Sequence, residues 1–155
     1  MNIKYYNKKL NLYIIINSDL LNSIKSNVKD YYPKEVGGVF VGYYNKNEAI
    51  ITNFIIPNKI ENSFCFFKRN VDNINKELKK IFIEENNIYI GEWHSHPNGD
   101  NMYSNIDFNT IKKIANDEDV KIENPLLLIV GFNNSDYFLR FYVYKNEELL
   151  EYEQV

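Results

Sequence analysis

The stretch Gly91-Glu92-Trp93-His94-Ser95-His96-Pro97, followed after a short loop by Ser104 and Asp107, carries residue types and spacings suited to metal chemistry. Side chains alternate across a strand, so histidines two apart aim both imidazoles at one face, as joint ligation of one cation requires. They are the chain's only histidines. Ser104 and Asp107 stand three apart where a helix is expected to begin, and so share a face. Two imidazoles and a carboxylate suit Zn²⁺, and three protein ligands leave a fourth tetrahedral position open for water, as in catalytic rather than structural zinc sites. Taken singly, each piece has another use. Either histidine could be a hydrogen-bonded strand residue, and Ser-x-x-Asp is also the pattern of a capped helix start with an acid favoured by the helix dipole. Capping, however, does not call for a His-x-His-Pro strand end just upstream.

With Glu35-Val36-Gly37-Gly38 upstream, these residues resemble the signature of the JAMM (MPN-domain) zinc metalloproteases, over roughly the whole chain. The resemblance implies a cytidine-deaminase-like fold and one Zn²⁺ per chain with a bound water. It implies that His94, His96 and Asp107 are the metal ligands, that Glu35 is the general acid/base, and that Ser104 stabilises the oxyanion. Two positions depart from the pattern: Tyr103 precedes the serine where proline is frequent, and Val36 follows the glutamate where a small hydroxyl residue is frequent. Neither removes a group that does chemistry. Seen alone, Glu35 would be read as a solvated charge at a strand edge.

The rest of the chain must position these groups. Its 155 residues suit a single domain, 1–155, with one sizeable core. A hydrophobic fraction of 45% with 25% charged residues is that of a globular protein, and a net charge of −3 offers no overall basic surface for nucleic acid. The single cysteine, Cys65, forms no intramolecular disulfide, fits a reducing, cytoplasmic setting, and lies among phenylalanines as a small apolar residue. The apolar run Leu10 to Ile16 is short and broken at Asn11, so neither a signal peptide nor a membrane span is expected.

Hydrophobic periodicity predicts an α/β sandwich: a mixed, mostly antiparallel sheet flanked by helices. Leu10 to Asn17 reads as a strand, and Ser18 as the cap of a helix with Leu21, Ile24 and Val28 on its apolar stripe, closed at Pro33. Val36 to Tyr44 and Ala49 to Ile56 form a hairpin across Asn45-Lys46-Asn47. A strand near Ser63 to Lys68 leads through Asn70 to a helix bearing Val71, Ile74, Leu78 and Ile81, with Lys76, Lys79 and Lys80 on its solvated side. Ile88 to His96 is the metal-bearing strand, and Ser104 opens a helix with Ile106, Ile111 and Ile114. Leu126 to Val130 reads as a strand covered on both faces, paired with Tyr137 to Tyr144; the acidic tail from Lys145 either frays or docks. Gly37 and Gly38 suit close backbone approach or a bulge. Trp93 faces the core. Glu92 lies on the ligand side, as a partner for an imidazole or as an exposed carboxylate. Arg69 and Arg140, the only arginines, suit structural ion pairs better than a substrate contact.

The resemblance implies a protein substrate with a flexible C-terminal tail, since the family cuts peptide or isopeptide bonds after the terminal glycine of ubiquitin or ubiquitin-like modifiers. The compact chain looks more like the small bacterial members than the larger eukaryotic ones and is similar to the deconjugating peptidases of anti-phage operons such as CBASS, which implies a conjugated protein such as a cyclic-nucleotide synthase as substrate. Three alternatives stay open: trimming of a sulfur-carrier protein in biosynthesis, a non-catalytic MPN interaction scaffold, and a RadC-like protein. The scaffold typically lacks metal ligands that are all present here. The RadC type has an added DNA-binding region that this chain does not show, and its acidic balance also speaks against DNA.

Overall fold

The computed structural model describes residues 1–57, 72–118, 120–122 and 124–155. The chain runs β1 (Asn2–Asn7), β2 (Leu12–Asn17), α1 (Ser18–Tyr31), β3 (Gly37–Asn45), β4 (Glu48–Ile55), α2 (Asp72–Glu85), β5 (Ile88–His96), α3 (Asn105–Ala115), β6 (Leu126–Phe132), β7 (Tyr137–Lys145), β8 (Glu148–Glu151) and β9 (Glu153–Gln154). The strands form one sheet in the order β8-β7-β6-β5-β3-β4-β2-β1-β9. Only the β2/β4 and β5/β6 pairs are parallel, so the sheet is mixed and mostly antiparallel as expected.

Each face of the sheet carries its own core. On one side, Leu21, Ile24 and Val28 of α1 pack with Phe40, Ile90, Trp93, Leu128 and Val130. On the other, Ile111 and Ile114 of α3 pack with Val39, Val41, Leu127, Ile129 and Tyr142, flanked by Leu78 and Ile81 of α2. Lys76, Lys79 and Lys80 are exposed. β6 is buried along its whole length, as an unbroken apolar run between two helical layers must be. β5 and β3 are central, so what they carry at their ends is held by neighbours on both sides.

Some expectations are corrected and others are decided. The helix cap is Asn17, not Ser18: the strand runs straight into the helix, Asn17 keeps extended angles, and its side chain accepts from the Asp19 N–H at 2.8 Å. β1 was not anticipated; its inward alternation of Ile3, Tyr5 and Asn7 is interrupted by a polar residue that is itself buried, with Asn7 donating to the Glu151 carbonyl and accepting from the Leu10 N–H. The acidic tail docks: β8 pairs with β7, β9 pairs with β1, and Leu149 and Tyr152 are buried. Ile106 is 77% exposed and takes no part in the stripe of α3, whose buried positions are Asp107, Ile111 and Ile114. Gly38 is required by packing, since a Cβ there would lie 2.1 Å from the Ile55 carbonyl oxygen. Arg140 pairs with Glu151 on the surface. Cys65, Arg69, Asn70, the strand expected at Ser63 to Lys68, and Val71 lie outside the described residues, as does the side chain of Ile74. No helix among the described residues is long and apolar enough to cross a membrane.

Candidate metal centre

The carboxyl end of β5 and the amino end of α3 meet on the face of the sheet that carries α2 and α3. Strand alternation puts Glu92, His94 and His96 on that face and sends Trp93 and Ser95 to the other. The His94 and His96 Nε2 atoms lie 3.2 Å apart. His94 Nε2 lies 2.9 Å from Asp107 Oδ1, and His96 Nε2 lies 3.7 Å from Asp107 Oδ2. A cation with bonds of about 2.1 Å to tetrahedral ligands separates them by about 3.4 Å, so these three groups have the spread of three corners of such a site. Among the described residues, this is the one cluster of three or more His, Cys, Asp or Glu side chains that could hold a metal ion.

The surroundings orient His96 and Asp107. His96 Nδ1 is 3.1 Å from the Asp100 carbonyl oxygen. Only a protonated Nδ1 can donate to that carbonyl, so the neutral ring turns its Nε2 lone pair toward the cluster, as a metal ligand needs. Burial lowers the His96 pKa, assisted by the neighbouring His94 and opposed by Asp107, Glu35 and Asp100. Burial by itself would raise Asp107, but its contacts with His94 and with Ser104 outweigh that, and its pKa lies below the ordinary carboxylate value. Both shifts favour the protonation states that bind a cation: neutral imidazole and charged carboxylate.

Ser104 and Asp107 form a reciprocal capping box. The Asp107 N–H donates to Ser104 Oγ at 3.1 Å, and the Ser104 N–H donates to Asp107 Oδ2 at 2.7 Å. Capping thus accounts for one lone pair of the serine and leaves its O–H available as a donor. Ser104 is exposed, whereas Asp107 is buried.

Glu35 stands two residues before β3. In the β3/β5 pair Gly37 lies opposite His94. The pairing continues one step further, where the Ser95 N–H donates to the Val36 carbonyl at 2.8 Å and the Val36 N–H donates to Ser95 Oγ at 2.9 Å. Val36 packs into the core that holds Trp93, so alternation leaves the preceding residue, Glu35, on the face of His94 and His96. Glu35 is exposed, and its charge is felt by His96. His94 and Asp107 are buried, His96 is partly buried, and Glu35 and Ser104 are exposed.

Of the two uses open to Glu92, the exposed carboxylate is excluded: the residue is 2% exposed, on the face that carries His94 and His96. Burial, and then the charge of Asp107, push its pKa well above the usual range against the help of the Tyr89 hydroxyl. Strand alternation placed Glu92 on the right face, but only α2 and α3 packed over that face decide its burial. Ser95, which faces away from the ligands, ties β5 to the Glu35 segment; nothing in a His-Ser-His spacing announces that.

Comparison with known proteins agrees with this geometry. The chain is 26% identical over 121 residues, 76% of this chain and 67% of the other, to a CD-NTase/cGAS isopeptidase of Enterobacter hormaechei subsp. hoffmannii (strain UCI 50). Its fold is similar to a solution structure of a Desulfitobacterium hafniense protein, with a TM-score of 0.66, 14% identity, and coverage of 88% of this chain and 87% of that one. It is also similar to the crystal structure of a JAB1/MPN domain protein from Archaeoglobus fulgidus, with a TM-score of 0.55, 16% identity, and coverage of 89% and 94%. The family described as prokaryotic homologs of the JAB domain matches residues 17–142, which span every element from the cap of α1 into β7. The chain belongs to this JAB/MPN family.

Proposed function

We propose that this protein is a zinc-dependent isopeptidase or peptidase that hydrolyses the bond after the C-terminal tail of a ubiquitin-like or conjugated protein, as a bacterial deconjugating enzyme of anti-phage defence. The observation that carries this reading is the convergence of His94, His96 and Asp107 to within bonding reach of one cation. These three would hold the Zn²⁺. When bound, the ion supplies Lewis-acid chemistry, polarising the scissile carbonyl and making water acidic enough to ionise near neutral pH.

The chain's own residues do the rest. Glu35 takes a proton from the attacking water and delivers it to the departing amine, the two transfers amide hydrolysis needs. The Ser104 O–H, free of the cap, donates to the oxygen on which charge develops. The name of the Enterobacter relative supports a nucleotidyltransferase conjugate over a sulfur-carrier substrate. The scaffold alternative is disfavoured because every ligand position is filled and two of them, His96 and Asp107, are preorganised by a partner.

The test uses the full chain purified without chelator and a defined isopeptide-linked conjugate. Metal analysis is expected to find one zinc per chain. Chelation is expected to stop cleavage, and added zinc to restore it. Cleavage that persists in metal-free protein would overturn the reading.

The two roles of Ser104 separate in the Ser104→Ala variant. Loss of the cap costs about 1 kcal/mol, which shows as a fall in Tm of roughly 2–4 °C for a chain of this size. Loss of the oxyanion donor costs about 10²-fold in kcat or more. A variant with the lowered Tm and an unchanged kcat would show a cap alone.

A further inference from the structure

We propose that Gly131 and Tyr142 are positioning residues of the metal centre, which together seat the loop from Pro97 to Tyr103 so that its Asp100 carbonyl fixes the ring of His96. This rests on the reading of His94, His96 and Asp107 as zinc ligands. Neither residue touches the cluster.

The loop has internal order: Gly99 takes a positive φ, the Asp100 N–H donates to Asn98 Oδ1 at 2.9 Å, and the Met102 N–H donates to Asp100 Oδ1 at 2.7 Å. Those bonds set its shape but not its place on the sheet. Two neighbouring strands do that.

Gly131 of β6 lies opposite His96 in the parallel pair. A Cβ at position 131 would come within 2.4 Å of the Gly99 oxygen and 2.8 Å of the Asp100 oxygen. The latter is the atom that lies 3.1 Å from His96 Nδ1. Both obstructing atoms are backbone, so any side chain at 131 must displace the peptide that orients the imidazole. One strand further out, the Tyr142 hydroxyl donates to the Asn101 carbonyl at 2.9 Å and lies 3.8 Å from Met102 Sδ, while the Tyr103 ring stands edge-on to it at 5.2 Å. Gly131 supplies the space for the loop, and Tyr142 holds it there. The same loop ends at Ser104, so a shift in it also moves the amino end of α3 that presents Asp107.

The test compares zinc affinity of the full chain, by competition with a chromophoric chelator, among wild type, Gly131→Ala, Tyr142→Phe and Gly42→Ala. The last is a control for general packing damage: its added Cβ would strike the Ile50 backbone in the β3/β4 pair, away from the ligands. The imidazole nitrogens of the zinc-loaded proteins are read by ¹⁵N NMR. Gly131→Ala is expected to lower zinc affinity by about 10- to 100-fold and Tyr142→Phe by about 10-fold, each with a changed or faster-exchanging His96 Nδ1–H signal. Gly42→Ala is expected to lower Tm while leaving zinc affinity and that signal as in wild type. If Gly131→Ala does not fold, Tyr142→Phe decides alone. Wild-type affinity and an unchanged His96 signal in the variants would overturn the inference while leaving the ligand assignment standing. A wild-type chain that takes up no zinc would instead remove the ligand assignment itself.

Discussion

Glu35→Gln is expected to reduce turnover of a conjugate by about 10²- to 10⁴-fold, the range for a positioned general acid/base, while the variant keeps one zinc per chain and the wild-type Tm. Glutamine matches glutamate in shape but cannot take a proton from water or return one to the amine. Glu35 is exposed and precedes β3, and the ligand cluster is complete without it, so neither folding nor metal loading depends on its charge. A proton-transfer role predicts that kcat and kcat/KM fall together, since the interaction is made in the transition state. Binding of an uncleaved conjugate should persist. Equal cleavage by wild type and variant would remove Glu35 from the mechanism, and a variant lacking zinc would recast it as a metal-site residue.

The register is what supports proposing a residue nearly sixty positions upstream as part of this site. The only link in sequence is that a hairpin strand begins just after Glu35; no local spacing connects it to His96. The β3/β5 pairing and the Ser95 bonds to Val36 supply the connection. Long-range pairing of this kind is invisible to periodicity, whereas the His-x-His alternation and the Ser-x-x-Asp helix start are local and were legible at once. The same division holds through the fold. The apolar run at Leu126 and the α1 stripe identify themselves, but β9 is a two-residue edge strand and β1, which lies between β2 and β9, is held by its pairing with β2 and by the Asn7 bond to Glu151 rather than by a readable apolar pattern.

The misreading of Ile106 is instructive. A helix stripe needs positions three and four apart, and Asp107, Ile111 and Ile114 have that spacing. The apolar reading took Ile106 instead because the first inward position holds a carboxylate. Local pattern and core burial disagree where the chain places a carboxylate under an otherwise apolar helix face, and such disagreement is expected at functional sites. Glu92 shows the same conflict on the strand side, a carboxyl on an inward-facing position.

Asp107→Asn is expected to cause the largest loss of metal. The carboxylate is buried, reaches both histidine Nε2 atoms, and accepts the Ser104 N–H with the oxygen nearer His96. An amide of the same shape can keep the Ser104 contact through its oxygen. Its NH₂ then occupies the position of Oδ1, facing His94 with hydrogens instead of lone pairs. The cluster loses its one anionic ligand, and the remaining donors are two neutral imidazoles. Zinc affinity should fall by more than the roughly 100-fold that marks the upper end for losing an outer partner. Thermal unfolding with and without added zinc measures this cleanly. Zinc at about 1,000 times the wild-type Kd should stabilise wild type by about 4 kcal/mol through selective binding to the folded state, and the variant by less than about 1.4 kcal/mol, the figure for a Kd about 100-fold weaker. In metal-free protein the two Tm values should lie close together, because the cap survives the change. Asp107→Ala separates the contributions, since it loses the cap acceptor as well and should be less stable even without zinc. If Asp107→Asn still showed the wild-type response to zinc, the third ligand would have to come from elsewhere, and the alignment of α3 against β5 would be a capping arrangement with no part in holding the metal.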